Sequence, residues 1–391
     1  RREVLTGKAK FVIFGDGKEL PQIAWAKVFQ DGDFRSGYYR DQTFMMALGE
    51  LSSKQFFASL YADTDPENEP SSAGRQMNGH FATHSLDENG HWNDLTQQKN
   101  TSSDISPTAA QMPRLVGLAE ASKFYKNNEA FGEDNIFYKN GSEVAWGSIG
   151  NASTSEGLFF EAINAAGVLQ IPMVISVWDD DYGISVHSKH QTTKENISEI
   201  LKGFQRTEDQ KGFEIIRVKG WDYPALIEAY EKAEQIAREE HVPVLVHVRE
   251  LTQPQGHSTS GSHERYKNEA RLNWERDFDC IKKMRDWMEQ YGLATAEELD
   301  EIEKEGKTAA RQAKTEAWKE FLSQIKTEMS ELTDIINEIA PSSSKPEKLK
   351  ELVKELNSKM DPLLKDVVAT AKRALRYFAG SPQGDVLRNL L

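Results

Sequence analysis

Residues 144–185, which read VAWGSIGNASTSEGLFFEAINAAGVLQIPMVISVWDDDYGIS, decide the fold of this chain. The apolar run 144–149 predicts a buried strand that ends at Gly150. A polar turn follows at 151–155, and its Ser and Thr residues are suited to capping a helix. The stretch therefore opens as a strand that leads into a helix.

A helix and a second strand complete this unit. Residues 158–169 place apolar side chains at helical spacing along one face. Pro172 stops that helix, because proline cannot continue its hydrogen bonding. The apolar run 173–177 then predicts another buried strand, so the whole stretch is a strand–turn–helix–strand unit.

Two later apolar runs continue the alternation of strand and helix. Residues 214–218 and 242–248 predict strands, and a helix is expected between them near 224–240. Strands that alternate with helices form parallel sheets whose two faces are covered. The predicted fold class is therefore α/β, a parallel sheet with helices on both faces, followed by a helical C-terminal extension.

The character of the sequence changes after about residue 264. Charged amphipathic helices follow one another there, and they are predicted over 268–291, 295–325, 326–339 and 347–378. Two prolines and three serines at 341–346 form the clearest linker. We therefore predict three parts: an α/β domain over 1–262, a helical extension over 263–340, and a linker with a helix over 341–391.

Composition limits the classes of function. The chain has 62 Asp and Glu against 48 Lys and Arg, a formal net charge of −14, which argues against general nucleic-acid binding. Charged residues interrupt every apolar run, and the N-terminus at Arg1 has no apolar signal region. A single cysteine, Cys280, fits a reducing cytosol and lies in a helix-like run that predicts a buried role. The sequence therefore predicts a cytoplasmic protein without nucleic-acid or membrane partners.

The unit over 144–185 resembles the fingerprint of thiamine diphosphate enzymes. That fingerprint is a strand ending in Gly-Asp-Gly, a helix, and a second strand ending in Asn-Asn. Here the two elements read GNASTSEG at 150–157 and VWDDDYGIS at 177–185. The resemblance implies a thiamine diphosphate-binding fold that holds the cofactor diphosphate and Mg²⁺ at one edge of the sheet.

The predicted metal ligands lie in these two elements. Parallel strands deliver their carboxyl ends to one edge of a sheet, and Mg²⁺ prefers oxygen ligands. Asn151 stands at the family's first acid and Asp180 at its second Asn, so one carboxylate and one amide remain. We assign Mg²⁺ to Asn151, Asp180 and the carbonyl of Tyr182. The alternative is an acidic turn at 179–181 that only caps and solvates the strand end.

Four further segments resemble, in the same order, the α part of the 2-oxo acid dehydrogenase decarboxylases, the E1 components. They are YYRD at 38–41, GRQMNGH at 74–80, SPTAAQMP at 106–113 and GHSTS at 256–260. The resemblance places Arg40 on the cofactor diphosphate, a role that suits the planar fork of donors of a guanidinium. The start of the helix after the first strand offers free N–H groups to the same diphosphate. The predicted cofactor-binding residues are Tyr39, Arg40, Gly150, Ala152, Ser153, Glu156 and His257.

Two histidines are the predicted catalytic residues. His257 matches the family's histidine that lies over the cofactor diphosphate near the reacting acyl group, where it can donate a proton or stabilise an anion. His80 is a candidate for the substrate channel. The alternatives are a solvent-facing loop histidine for His257 and a structural histidine for His80. Ser258 matches a regulatory phosphorylation site of some members.

Some positions depart from the branched-chain pattern. Trp178 and Gln253 stand where branched-chain members carry arginines, so two cationic contacts to the diphosphate are missing. GDG at 15–17 repeats the letters of the first motif, but its second ligand would fall at Met45. We therefore predict only a turn at 15–17.

The resemblance implies an E1 component that decarboxylates a 2-oxo acid with thiamine diphosphate and passes the acyl group to a lipoyl-bearing E2 acyltransferase. The HSTS letters at 257–260 favour a branched-chain substrate, with pyruvate and acetoin as alternatives. In this family the glutamate that activates the cofactor comes from a β part, so we expect a β partner and a dimer of α–β units. The linker and helix over 341–391 suggest that the β part is fused to this chain. A transketolase-type thiamine enzyme and a non-catalytic, cofactor-binding assembly subunit remain as alternatives.

Overall fold

A computed structural model describes residues 2–76, 79–131, 135–139, 141–259, 262–378 and 380–390. The chain forms two compact units, residues 1–307 and 308–391. The helices are α1 (Arg2–Leu5), α2 (Glu19–Val28), α3 (Gln42–Ala47), α4 (Ser53–Tyr61), α5 (Gln111–Lys126), α6 (Gly157–Leu169), α7 (Ile197–Ile200), α8 (Tyr223–Gln235), α9 (Glu269–Asp277), α10 (Cys280–Gln290), α11 (Ala296–Ile339), α12 (Pro346–Asn357), α13 (Leu364–Leu375) and α14 (Pro382–Leu390). The strands are β1 (Phe34–Ser36), β2 (Asn100–Thr101), β3 (Ala145–Gly150), β4 (Met173–Trp178), β5 (Tyr182–Gly183), β6 (Val186–His187), β7 (Glu214–Lys219) and β8 (Val244–Arg249).

Six strands form one parallel sheet in the order β2-β1-β3-β4-β8-β7. The predicted strands at 144–149, 173–177, 214–218 and 242–248 are confirmed as β3, β4, β7 and β8. β1 and β2 were not predicted, because they are too short to show an apolar pattern. β5 and β6 form a separate antiparallel pair after β4.

Helices cover both faces of the sheet, as predicted. Side chains alternate along a strand, so neighbouring residues of β3 enter opposite layers. Trp146 packs in a cluster with Trp25 of α2 and Tyr230 of α8. Ile149 packs in a second cluster with Phe159 of α6 and Leu115 of α5. The apolar strands at the centre of the sheet are therefore buried from both sides, which fixes the edge where the turns after β3 and β4 emerge.

The turn between β3 and α6 differs from the prediction. Residues 151–155 form a 3₁₀ helix, and Glu156 occupies the N-cap of α6 without a side-chain capping bond in the described part of the chain. The Thr154 hydroxyl donates instead to the carbonyl of Asn151 at 2.6 Å. The predicted Ser/Thr cap is therefore wrong, because this local bond competes for the hydroxyl.

The first helices after residue 264 are shorter than predicted. The predicted helix 268–291 is two helices, α9 and α10. The carboxylate of Asp279 accepts hydrogen bonds from the N–H groups of Ile281 and Lys282, and so it caps a new helix. None of the helices in the described ranges combines the length and the apolar character that crossing a bilayer requires.

The remaining helices join and divide at other points than predicted. The predicted helices 295–325 and 326–339 are a single helix, α11, and the predicted helix 347–378 is divided into α12 and α13. Pro362 lies in the loop between these two, where it has no N–H to contribute to a helix. Apolar residues of α11, α12 and α13 share the core of the second unit. The domain boundaries at 262 and 340 stay predictions.

The single cysteine, Cys280, is buried at the start of α10, as predicted. Its thiol donates to the carboxylate of Glu19 at 3.1 Å. Burial, and next the negative charge of Asp16, raise the pKa of Glu19 to about 7. Glu19 therefore keeps a proton in the folded protein at pH values where the unfolded chain has lost it.

We predict that the stability of a Glu19→Gln variant, relative to wild type, increases with pH. Between the ordinary pKa of 4.5 and about 7, the folded state binds more protons than the unfolded state, so wild-type stability falls as pH rises through this window. Glutamine keeps the shape of the protonated side chain but does not ionise. Urea unfolding midpoints at several pH values between about 4 and 8 check this. A difference in unfolding midpoint between the two proteins that stays constant with pH would contradict the raised pKa of Glu19.

Candidate functional site

A pocket of about 460 Å³ lies at the edge of the sheet where β3 and β4 end. Gly150, the last residue of β3, pairs with Trp178, the last residue of β4, so the turns that follow these strands are neighbours. The loops after β1 and β8 complete the wall. Every predicted site residue except His80 lines this pocket: Tyr39, Arg40, Gly150, Asn151, Ala152, Ser153, Glu156, Asp180, Tyr182 and His257.

Arg40 and His257 are joined by direct hydrogen bonds, although 217 positions separate them in sequence. The Nη2 of Arg40 lies 2.9 Å from Nδ1 of His257 and donates to the His257 carbonyl at 2.9 Å. The Nη1 of Arg40 donates to the carbonyl of Phe14 at 2.5 Å. The guanidinium thus fixes the ring of His257 and the loop that carries it.

This geometry sets the protonation of His257. A guanidinium has only donors, so Nδ1 must accept and the neutral ring carries its proton on Nε2. Burial, and next the positive charge of Arg40, lower the pKa of His257 to about 4. His257 is therefore a neutral hydrogen-bond donor at physiological pH, and stabilising an anion suits it better than releasing a proton as an imidazolium.

The predicted metal ligands Asn151, Asp180 and Tyr182 lie in the same pocket. Asp180 accepts from the backbone N–H of Tyr182 at 3.2 Å through Oδ1, and Lys18 donates to its Oδ2 at 3.0 Å. Burial alone would raise the pKa of Asp180, but Lys18 and Arg40 outweigh it and hold the pKa below its ordinary value. Asp180 is therefore an anion in this pocket.

Asn151 carries an unused polar atom. Its Nδ2 is buried and finds no hydrogen-bond partner among the described residues. An amide can present either its oxygen or its nitrogen at one position, so rotation of the side chain would offer an oxygen there. No group of three or more His, Cys, Asp or Glu side chains arranged for a metal occurs within the described ranges. The predicted Mg²⁺ ligands differ from such a group, because they are one carboxylate, one side-chain amide and one backbone carbonyl.

Lys18 is the main pocket residue that the sequence analysis missed. Its side chain is 1% exposed, and its ammonium donates to Asp180, to the carbonyl of Thr252 at 3.1 Å and to Oε1 of Gln253 at 2.7 Å. Lys18 directly follows the predicted turn at 15–17, which the structure confirms as a turn. The available signal in the sequence is a lysine directly after a glycine-rich turn.

A buried ion network supports the loop that carries Tyr39 and Arg40. The guanidinium of Arg35, on β1, donates to the carboxylate of Asp41 at 2.7 and 3.0 Å. It also donates to the carboxylate of Asp104 at 3.0 and 3.3 Å. All three side chains are at most 1% exposed. The indole of Trp178 also donates to Asp41, at 3.3 Å. Trp178 therefore supports the loop at a position where the family pattern has an arginine.

His80 lies outside the residues that line the pocket. Its Nε2 is 2.8 Å from the hydroxyl of Ser106, which does line the pocket. This contact places His80 next to the wall of the pocket. The catalytic role of His80 stays a prediction. Ser258, the predicted match to a phosphorylation site, is buried. Met77 and Asn78 of the 74–80 segment and Ser260 of the 256–260 segment lie outside the described residues.

Comparison with known proteins identifies the family. Residues 4–325 match the family described as dehydrogenase E1 component. The 2-oxoisovalerate dehydrogenase subunit alpha of Bacillus subtilis (strain 168) is 28% identical over 302 residues, which cover 76% of this chain and 78% of the relative. The mitochondrial 2-oxoisovalerate dehydrogenase subunit alpha of Dictyostelium discoideum is 27% identical, over 95% of this chain and 74% of the relative. The mitochondrial subunit alpha 1 of the same enzyme from Arabidopsis thaliana is 25% identical, over 89% of this chain and 65% of the relative.

The match spans the elements that build the pocket, from the loop after β1 to the loop after β8. It also spans the paired Arg40 and His257 that the sequence analysis placed on the cofactor. The relatives are α subunits of one enzyme type. This chain therefore belongs to the dehydrogenase E1 component family, and it is similar to the α subunits of that family.

Proposed function

We propose that this chain is the α part of an E1 component that decarboxylates a branched-chain 2-oxo acid with thiamine diphosphate. The acyl group then passes to a lipoyl-bearing E2 acyltransferase in a multienzyme complex. The observation that carries the proposal is the hydrogen-bonded pair of Arg40 and His257 at the edge where β3 and β4 end. The relatives are named as subunits of 2-oxoisovalerate dehydrogenase, and these names favour a branched-chain substrate.

The pocket suits the diphosphate end of the cofactor. Arg40 offers a planar cation to the pocket that residues of the 151–155 turn also line. This turn leads into the N-terminus of α6, and a helix N-terminus favours an anion. Asn151, Asp180 and the Tyr182 carbonyl supply the hard oxygen atoms that Mg²⁺ prefers. The buried Nδ2 of Asn151 has no hydrogen-bond partner among the described residues, so this amide supports a ligand at that position.

His257 is the proposed catalytic residue of this chain. When bound, thiamine diphosphate supplies the electron sink for the bond that breaks on decarboxylation. Arg40 holds Nδ1 of His257, so the Nε2–H is the donor available to negative charge that develops on the substrate. Because its pKa is about 4, His257 performs this role as a neutral ring across the physiological range.

A β part completes the site in this proposal. Among the described residues that line the pocket, the carboxylates are Glu156 and Asp180, and Asp180 is held by Lys18. We propose that the carboxylate that activates the cofactor comes from a β part, either fused or separate, and that α–β units associate as dimers. Cytoplasmic localisation is proposed with it, on the sequence features alone.

Acyl transfer to an isolated lipoyl domain tests the function. The complete α–β protein is incubated with thiamine diphosphate, Mg²⁺ and either 2-oxoisovalerate or pyruvate, and the mass of the lipoyl domain is measured. We expect the lipoyl domain to gain the branched acyl group from 2-oxoisovalerate faster than it gains an acetyl group from pyruvate. Ketol transfer between sugar phosphates without acylation of the lipoyl domain would support a transketolase-type enzyme. Cofactor binding without either reaction would support an assembly subunit.

We predict that Asp180→Ala weakens Mg²⁺-dependent binding of thiamine diphosphate by about 100-fold, because it removes the carboxylate of the proposed ligand set. Calorimetric titration of the complete protein measures the affinity. Asp181→Ala is the matched control, since Asp181 belongs to the same turn but pairs with Arg271 at 2.6 Å. Equal affinity of the Asp180→Ala variant and wild type would remove Asp180 from the metal site.

A further inference from the structure

We propose that His247 is a positioning residue: it holds Asp179, and through it the turn that carries two of the proposed Mg²⁺ ligands. Those ligands are Asp180 and the carbonyl of Tyr182. This inference rests on the proposed function, since it concerns the same ligands. Neither His247 nor Asp179 is among the described residues that line the pocket, so their effect on Mg²⁺ passes through the backbone of the turn.

His247 is a buried polar residue within an apolar strand. It belongs to β8, its exposed fraction is 0%, and its neighbours Val246 and Val248 are buried as well. A polar side chain in such a place costs free energy unless its polar atoms are hydrogen-bonded. Both ring nitrogens have a partner: Nε2 lies 2.8 Å from the carboxylate of Asp179, and Nδ1 lies 2.9 Å from the hydroxyl of Ser198. The ring is therefore held from two sides.

The carboxylate of Asp179 connects this ring to the turn. A carboxylate has only acceptors, so Nε2 of His247 donates to Oδ2 of Asp179. The other oxygen, Oδ1, accepts from the backbone N–H of Asp181 at 3.1 Å. The main chain of Asp179 is also fixed, because its N–H donates to the carbonyl of Val248 at 2.9 Å. One carboxylate thus joins a side chain of β8 to the backbone of the turn that follows β4.

The conformation of the turn gives this bond its importance. Asp181 has φ +67°, in the left-handed region that residues other than glycine rarely adopt. A bond from an Asp side chain to the backbone N–H two residues later supports such a turn, and it uses no atom of the Asp181 side chain. Asp180 and Tyr182 directly flank Asp181. A change of φ at Asp181 would therefore move the two proposed ligands relative to each other.

A separate contact keeps the turn attached when His247 is changed. Nη2 of Arg271 donates to the carbonyl of Asp180 at 2.8 Å, and this bond involves neither His247 nor Asp179. Loss of the bond from His247 should therefore loosen the orientation of the ligands without unfolding the turn. The loss of a residue that orients a metal ligand typically weakens metal binding by about 10- to 100-fold.

The test measures the Mg²⁺ requirement, the Mg²⁺ concentration that gives half-maximal binding of thiamine diphosphate to the complete α–β protein. We expect His247→Leu, which removes the donor to Asp179, to raise this concentration by about tenfold or more. His247→Gln should stay close to wild type, because the amide nitrogen of glutamine can replace Nε2 as the donor. Tyr230→Phe is the matched control, since it removes another buried hydrogen bond to β4, the one with Ser176 at 2.8 Å, and should leave the Mg²⁺ requirement unchanged.

Amide exchange gives a readout that needs no cofactor. Hydrogen–deuterium exchange of the cofactor-free protein is followed in peptides that cover residues 179–184. We expect faster exchange there in His247→Leu, and wild-type exchange in His247→Gln and Tyr230→Phe. Asp179→Ala removes the acceptor of the Asp181 N–H, so it should match His247→Leu in both measurements. It also decides the question if His247→Leu does not fold.

Two outcomes would overturn the inference. The first is an Mg²⁺ requirement that stays at the wild-type level in His247→Leu and Asp179→Ala. The second is an equal rise in His247→Gln or Tyr230→Phe, because a loss of packing or stability alone would then explain the effect. Failure of the wild-type protein to bind thiamine diphosphate would instead refute the proposed function, and amide exchange over 179–184 would still decide whether His247 holds the turn.

Discussion

Replacement of His257 with Asn is expected to lower the rate of acyl transfer to the lipoyl domain by about 10²- to 10³-fold. The Oδ1 of asparagine can accept the hydrogen bond that Arg40 now makes to Nδ1 at 2.9 Å, so the loop and the guanidinium should keep their positions. The variant lacks the Nε2–H, which is the donor that we assign to developing negative charge. The affinity for thiamine diphosphate should therefore change much less than the rate.

Single-turnover acylation of the lipoyl domain, measured at saturating cofactor, gives the rate of the His257→Asn protein. His257→Ala is the companion variant, because it removes the partner of Arg40 as well as the Nε2–H donor. We expect it to lose cofactor affinity in addition to rate. A rate within a factor of about three of wild type for His257→Asn would contradict the catalytic assignment.

Replacement of Arg35 with Met is expected to lower the free energy of unfolding by about 3–5 kcal/mol, the usual cost of leaving buried charge without its partner. Arg35 joins the carboxylates of Asp41 and Asp104, and all three side chains are buried. Its Nη2 also donates to the Tyr38 carbonyl at 3.0 Å, at the base of the loop that carries Arg40. The variant should therefore lose cofactor affinity together with stability.

Urea unfolding of the Arg35→Met protein measures this loss. Arg217→Met is the control, since Arg217 makes an ion pair with Glu199 at 2.8 Å but is 39% exposed. Exposed pairs contribute about 0–1 kcal/mol, so the control should remain close to wild type. Similar losses in the two variants would mean that the network of Arg35 has no special role in the fold.

The centre of the fold was predictable because its apolar runs are long. β3, β4 and β8 are buried on both faces, and such strands read as continuous apolar segments. β1 and β2 were missed because they are short and are defined by pairing between distant segments, β1 with β3 and β2 with β1, which leaves no local pattern. Helix boundaries after residue 264 depended on single capping residues such as Asp279.

The pocket was predictable where residues follow strand ends directly. Asn151 and Asp180 had to be neighbours once β3 and β4 paired in parallel. The pairing of Arg40 with His257, by contrast, depends on loops from distant parts of the chain, and only the family resemblance suggested that both reach the cofactor. Lys18 had neither signal. Its place in the pocket is set by three acceptors that three-dimensional packing brings to its ammonium.

Calorimetric titration of thiamine diphosphate with Mg²⁺ into the complete α–β protein, beside an Arg40→Met variant, tests the central claim most directly. We expect saturable binding of one cofactor per α–β unit and its loss in the variant, because Arg40 supplies both a cation to the diphosphate and the bond that fixes His257. Absence of binding to the wild-type protein would contradict the account, and a non-catalytic assembly subunit would then be the better description.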